Sequence, residues 1–341
     1  MQNLDLYILA IESSCDDTSC AILHNNVVLS NVIANQKIHE QYGGVVPELA
    51  SRDHQKNIVL VVNEALKQAN IELKQLNALA VTIGPGLMGS LLVGLSFAKS
   101  LAMTLGIPLI EVNHMHGHIL AHFIKDTNEQ PLPEFPFLCL TVSGGHTQLV
   151  NVTDHLSFEI LGSTLDDAVG EAFDKAAKIL GLPYPGGPLI DKLAKEGDSS
   201  KFKFAQSQVA DFNYSFSGIK TSFLYFIQNH MQKDENFVRD NLKDICASYQ
   251  SHLIAVLLKN VKQLIQQNGF KHLAIAGGVS ANSELRYQIK KLETELNIKT
   301  YIPKFEYCTD NAAMIGITAY YKFLKKEFAT LDITPLPRMS L

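Results

Sequence analysis

Apolar and polar positions fall into strand-like and helix-like runs along the whole chain. Tyr7, Ile8, Leu9, Ala10 and Ile11 form a continuous apolar run, the polar stretch from Glu12 through Asp16 and Asp17 to Ser19 interrupts it, and Cys20, Ala21, Ile22 and Leu23 resume it. Short apolar runs bounded by polar turns predict buried strands, so this segment reads as strand, turn, strand. The same pattern returns about 130 residues later, with the run 137–142, the small polar turn Ser143, Gly144, Gly145, His146 and Thr147, and the run 148–152. A module repeated at that distance predicts two related lobes rather than a short-period solenoid. Helical periodicity covers 57–69, 89–105, 170–180, 243–267 and 311–326. Residues 273–276 read as a buried strand that ends at Gly277 and Gly278, and Ser280, Ala281, Asn282 and Ser283 then supply helix-start residues. Strands alternating with helices of this length give an α/β fold. The least regular stretch is 192–217, where 196–200 reads as an exposed loop.

Composition sets the outer limits. A chain of 341 residues with 46% hydrophobic and 18% charged positions is long enough for two domains and too apolar to be disordered. The lowest-charge stretch, 91–110, is broken by Ser96, Lys99 and Ser100, which predicts a buried helix and a following strand rather than a membrane span. Residues 1–7 carry no basic position and do not resemble a signal peptide, so the expected location is the cytoplasm. Cys15, Cys20, Cys139, Cys246 and Cys308 form neither an even framework nor a C-x-x-C pair, as expected of free thiols in a reducing compartment. A net charge of -5 gives no global positive field, and any nucleic-acid contact therefore needs a local basic patch or a basic partner. Lys290, Lys291, Lys299, Lys304, Lys322, Lys325 and Lys326 are available bases.

Candidate chemistry begins with four histidines, His114, His116, His118 and His122, inside nine positions. On a helix His114 and His118 share a face, as two ligands of one metal must, with His122 continuing that face and His116 pointing elsewhere. An isolated pair is more often a surface or core feature; four together favour a ligand role. The zinc-protease pattern H-E-x-x-H is only superficially similar, because Met115 stands where its general-base Glu belongs. Asp310 offers a third ligand, although at the head of a helical pattern a carboxylate also serves as an N-cap contributing about 1 kcal/mol. Glycine turns occur at 84–86, 143–147, 186–188 and 277–280, none with Walker A or G-x-G-x-x-G spacing. Backbone N–H groups in such turns can close on phosphate oxygens, and four of them point to a nucleotide site. The acidic turn 12–17 repels phosphate, so its carboxylates act through a cation, a water or an amine, or else belong to a solvated hairpin.

Taken together, Glu12-Ser13-Ser14-Cys15-Asp16-Asp17-Thr18, the run from Gly43 to His54 with Pro47-Glu48-Leu49-Ala50-Ser51-Arg52-Asp53, Gly84-Pro85-Gly86-Leu87, the histidine helix, Ser143-Gly144-Gly145-His146-Thr147, Gly170-Glu171-Ala172-Phe173-Asp174-Lys175, Tyr184-Pro185-Gly186-Gly187-Pro188, Phe216-Ser217-Gly218-Ile219-Lys220-Thr221, Gly277-Gly278-Val279-Ser280-Ala281-Asn282 and Thr309-Asp310-Asn311 resemble the bacterial tRNA threonylcarbamoyladenosine synthase catalytic-subunit family in content and order. The resemblance implies a two-lobed actin-like, Hsp70-like, sugar-kinase-like fold, each lobe a mixed sheet flanked by helices. Residues 1–113 completed by 311–341 would form the N-terminal lobe and 114–310 the C-terminal lobe, with nucleotide and metal between them. It implies acyl transfer of a threonylcarbamoyl group from threonylcarbamoyl-AMP to the adenosine 3' of the anticodon, in tRNAs reading codons that begin with adenine. By position, His114, His118 and Asp310 match the metal ligands, the ion being Fe(2+) or Zn(2+). Val142, Ser143, Gly144, Gly145, His146, Asp174, Gly187, Asp191 and Asn282 match substrate or nucleotide contacts, and Asp16 and Asp17 an acidic catalytic pair. The implied partners are tRNA, a paralogous subunit on the N-terminal lobe, an ATPase and the synthase that makes the adenylate, with no membrane. Asp17 replaces the more common Glu, His116 replaces an acid, and the usual C-terminal tryptophan is missing. A metallopeptidase and a nucleotide-dependent scaffold are the rival readings.

Overall fold

Strand β1 (Tyr7–Glu12) is the middle of the first sheet because it is apolar on both faces: Ile8, Leu9, Ala10 and Ile11 are all fully buried. The computed structural model describes residues 5–125, 131–205 and 209–341. From β1 the acidic turn leads into β2 (Thr18–His24), which runs antiparallel to it, and then β3 (Val27–Ala34), antiparallel to β2. Helix α1 (Pro47–Ala69) starts ten residues before its apolar periodicity becomes regular. Pro47 in its first turn needs no intrahelical N–H partner, and Asn70 closes the helix in the left-handed region. Strand β4 (Ala78–Gly84), helix α2 (Met88–Leu105) and strand β5 (Leu109–Asn113) follow, with β1, β4 and β5 parallel. The short α3 (His114–Leu120) leaves β5 directly.

The second sheet repeats the first. Strands β6 (Phe137–Val142) and β7 (Thr147–Asp154) form the antiparallel pair expected from the repeated hairpin, and β8 (Ser157–Ser163) lies beyond β7. Helices α4 (Val169–Ile179), α5 (Gly186–Ala194), α6 (Ser217–Met231) and α7 (Phe237–Asn268) precede β9 (His272–Ala276), which is parallel to β6. Helix α8 (Ser283–Leu296) and β10 (Lys299–Tyr301), parallel to β9, complete it, and α9 (Ala312–Leu324) returns to the first sheet. The strand orders are β3-β2-β1-β4-β5 and β8-β7-β6-β9-β10, the same connectivity twice. Part of the irregular stretch 192–217 lies outside the described residues.

Two compact units result: Met1–Leu132 with Asp154–Ser157 and Pro303–Leu341, and Pro133–Thr153 with Phe158–Ile302. The sequence division at 113/114 falls inside the first unit, because Asn113 is both the last residue of β5 and the cap of α3, leaving no linker there; 303–310 also belong to the first unit. Leu9, Ile11, Ile22, Ile58, Leu79 and Leu95 build one core, and Leu138, Leu140, Phe173, Phe223, Tyr249 and Leu253 build the other. Among the described residues α2 is the one helix long and apolar enough to cross a membrane. One face of it buries Leu95, Ala98 and Ala102 in the first core, and the Lys99 ammonium donates to the Ile333 carbonyl.

Candidate metal centre

Asn113 starts α3 by accepting the Met115 N–H on its Oδ1 at 2.8 Å, and the helix then places His114 and His118 one turn apart. Their rings meet edge to face, with centroids 4.7 Å apart. Asp310, immediately before α9, reaches the same point: its Oδ1 lies 3.4 Å from His114 Nε2 and 3.2 Å from His118 Nε2. Donors bound about 2.1 Å from one metal at tetrahedral or octahedral angles sit about 3.0–3.4 Å apart; both Asp310 spacings match this, and the three ligand atoms all lie within 4.8 Å of one another, a group that could hold one ion. His118 supplies an independent sign. It is 1% exposed, its Nδ1 has no hydrogen-bond partner, and its Nε2 meets only the Asp310 carboxylate, a state an interior disfavours unless another group meets them. Two imidazoles and a carboxylate can hold a divalent transition metal and leave coordination positions open.

The capping role expected for Asp310 is not what the structure shows. Asn311 caps α9, its Oδ1 accepting the Met314 N–H at 3.1 Å, which leaves the Asp310 carboxylate to the histidines. His122 does not continue the ligand face, because α3 ends at Leu120 and His122 lies in the tight turn that follows. His116 points away from the pair, and burial together with the Lys322 charge lowers its pKa to about 4. Burial opposes charge at His114, but the Asp310 and Glu12 carboxylates outweigh it and hold the ring protonated well above the usual histidine range. Burial likewise raises both acids, and the His114 charge reverses that, so Glu12 and Asp310 titrate below the ordinary carboxylate range.

The acidic hairpin adjoins this centre, since Ser14 Oγ lies 3.2 Å from His114 Nδ1. Three groups clamp its backbone: His54 Nε2 and Ser90 Oγ each donate to the Cys15 carbonyl at 3.0 Å, and the Leu87 N–H donates to the Ser14 carbonyl at 2.7 Å. Burial keeps His54 neutral, so with Nε2–H engaged its Nδ1 accepts from the Thr18 hydroxyl at 2.8 Å. Asp17 is half-buried and accepts from Asn35 Nδ2 at 2.8 Å. Burial, and then the Asp16 charge, push its carboxyl up to about 7.

The second unit holds the remaining candidates, and its glycine turns are not equivalent. Val142 ends β6 in the core, Ser143 N–H donates to the His146 carbonyl at 2.8 Å, and His146 N–H donates to Ser143 Oγ at 3.0 Å, closing the turn. Gly144 and Gly145 are exposed at its tip with open space around their α-carbons. Gly277 packs against this turn. Its φ of +87° is in the left-handed region, and a Cβ there would lie 2.5 Å from the Val142 carbonyl oxygen. The amides of Gly186 and Gly187 are already met by Asp174 Oδ1 at 2.8 and 3.1 Å, and burial raises the Asp174 carboxyl. Asp191 accepts from Ser283 Oγ at 2.7 Å, while Asn282 caps α8 and donates to Gln250 Oε1 at 2.7 Å. Gly84-Pro85-Gly86, in the first unit, is likewise committed: Gly86 N–H donates to the Pro337 carbonyl at 3.1 Å.

A family model described as tRNA N6-adenosine threonylcarbamoyltransferase matches residues 27–317. A protein of that name from Christiangramia forsetii is 60% identical over 338 residues, 99% of each chain, and one from Cytophaga hutchinsonii is 54% identical over 340 residues, covering 100% of this chain and 98% of its own. The chain belongs to the tRNA N6-adenosine threonylcarbamoyltransferase family. Among solved structures, HypF of T. kodakarensis aligns with a TM-score of 0.60 at 14% identity, covering 95% of this chain and 48% of that one. At that identity the likeness concerns the fold, which is the expected actin-like, Hsp70-like, sugar-kinase-like one with two mixed sheets flanked by helices. As a member of the threonylcarbamoyltransferase family, the chain is an enzyme of the transferase class. Sequence reasoning placed Glu12 among the carboxylates of the acidic turn without pairing it with His114, and gave Thr82 and His54 no individual role. The available signal was an acid closing a strand that is otherwise apolar on both faces.

Proposed function

We propose that the chain moves a threonylcarbamoyl group from threonylcarbamoyl-AMP to N6 of the adenosine 3' of the anticodon, in tRNAs reading codons that begin with adenine. N6 attacks the carbamoyl carbon, the new C–N bond forms, the C–O bond to phosphate breaks, and AMP leaves with the electron pair. The N6 proton goes to Asp17, whose carboxyl at about 7 suits a base working near neutrality, with Asp16 keeping that value raised. His114, His118 and Asp310 would hold Fe(2+) or Zn(2+), which supplies Lewis-acid polarisation of donor oxygens when bound. Ser143, Gly144, Gly145 and His146, after Val142, receive phosphate or carbamoyl oxygens, and Asp174, Gly187, Asp191 and Asn282 the nucleoside. The second unit's exposed Gly144–Gly145 tip supports the first of these assignments.

The observation that carries the reading is the convergence of His114, His118 and Asp310 beside a hairpin bearing a near-neutral carboxyl, in a chain of this family. A paralogous subunit on the first unit, an ATPase and the adenylate-making synthase complete the proposed assembly, in the cytoplasm. Val59, Leu60, Leu92 and Met103, exposed on α1 and α2, support protein docking there. The test is nucleoside mass spectrometry after incubating the chain with threonylcarbamoyl-AMP, tRNA and these helpers. Threonylcarbamoyladenosine at the position after the anticodon is expected, and its absence, with donor and helpers shown active, sinks the proposal.

A further inference from the structure

Glu12 is a fully buried acid at the end of an apolar strand, and a buried carboxylate is disfavoured unless donors meet its oxygens. Donors do meet them. Oε1 accepts the Ser14 backbone N–H at 2.5 Å, and Oε2 accepts the Thr82 hydroxyl at 2.6 Å and lies 3.0 Å from His114 Nδ1. A carboxylate whose oxygens already receive two hydrogens has only acceptor capacity left, so the contact with His114 is Nδ1–H donating to Oε2. The Ser14 hydroxyl, 3.2 Å from the same nitrogen, is compatible with that arrangement. A ring that keeps its hydrogen on Nδ1 has Nε2 as its ligand atom, and Nε2 is the nitrogen facing Asp310. His118 has no comparable anchor, since its Nδ1 lacks a hydrogen-bond partner and its Nε2 faces Asp310.

We infer that Glu12 is a positioning residue of the metal centre: it fixes the tautomer and ring orientation of His114 and thereby raises metal affinity, with Thr82 and the Ser14 amide holding Glu12 in place. The inference rests on reading His114, His118 and Asp310 as metal ligands. Carboxylates in this position behind a ligating histidine, when removed, commonly weaken metal binding by about 10–100-fold.

Zinc affinity of the full chain, measured by competition with a chromophoric chelator, tests it. Glu12→Ala is expected to weaken zinc binding by about 10–100-fold, and Glu12→Gln, which keeps an acceptor for Nδ1–H, to recover part of the loss. Thr82→Val removes only the hydroxyl that holds Glu12; it should shift affinity less, in the same direction, and it stands in if Glu12→Ala does not fold. Nitrogen-15 histidine spectra of the zinc-loaded parent should show His114 protonated at Nδ1 and zinc on Nε2. Unchanged affinity in folded Glu12→Ala or, if that variant does not fold, in Thr82→Val overturns the inference, as does zinc bound at Nδ1. A His114→Ala variant separates the two layers: if it binds zinc as the parent does, the metal reading itself fails and the role of Glu12 falls with it.

Discussion

A carboxylate serves as a base only above its own pKa, and Asp17 makes that statement measurable. With its carboxyl at about 7, single-turnover transfer should climb with pH through about 7 and then level off, and Asp17→Asn should be at least about 100-fold slower with that climb gone. Asp17→Glu, which keeps the carboxylate, should transfer well. Stability runs the other way. Because the folded state binds the Asp17 proton more tightly than the unfolded chain does, the parent loses stability as pH rises from about 4 to about 7. Asp17→Asn removes that loss, so its melting temperature should exceed the parent's at pH 8, and the gap should close below about pH 4. Equal melting temperatures at pH 8 contradict the raised carboxyl. A residue that costs the fold stability while aiding turnover is what a catalytic assignment predicts.

At the scale of single elements, α9 separates two roles that sequence alone left entangled. Asn311→Ala should destabilise the chain by about 1 kcal/mol in denaturant melts and leave metal content unchanged. Asp310→Ala should lose metal by elemental analysis and also lower the melt, because it strips the counter-charge from buried His114. A metal-replete Asp310→Ala protein removes the carboxylate from the ligand set. The hairpin offers a second case: His54→Ala deletes the bonds to the Cys15 carbonyl and the Thr18 hydroxyl, which should cost about 1–3 kcal/mol and slow transfer, although His54 touches no reacting atom. Both strand–turn–strand modules, the long helices and the pairing of His114 with His118 were legible because period and spacing are local properties. The start of α1 was not, since Glu48, Arg52 and Asp53 mask its buried stripe, and the cap of α9 was not, since Asp310 and Asn311 are both good capping residues. The pairing of Glu12 with Thr82 and His114 escaped because those partners lie 70 and 102 residues away. The glycine turns looked alike in sequence and diverged only when Asp174 and Pro337 were seen meeting the amides of two of them.

For the whole molecule, net charge governs the encounter with a polyanion. A chain at -5 should bind tRNA weakly by itself, with affinity falling steeply as salt rises, and the helper proteins should restore binding; tight, salt-insensitive association of the purified chain with tRNA contradicts this. The repeated strand order shows one architectural plan used twice, with the histidines set into one copy and the open glycine tip into the other. Yet the copies are not consecutive in the chain, for the first unit is finished only by the segment that begins at Pro303. Synthesis therefore imposes an order of events. His118 leaves the ribosome 192 residues before Asp310, the difference of their numbers, which at bacterial-type elongation rates is a delay of about 10–40 s. If His114, His118 and Asp310 hold a metal, the full ligand set exists only once translation has passed position 310.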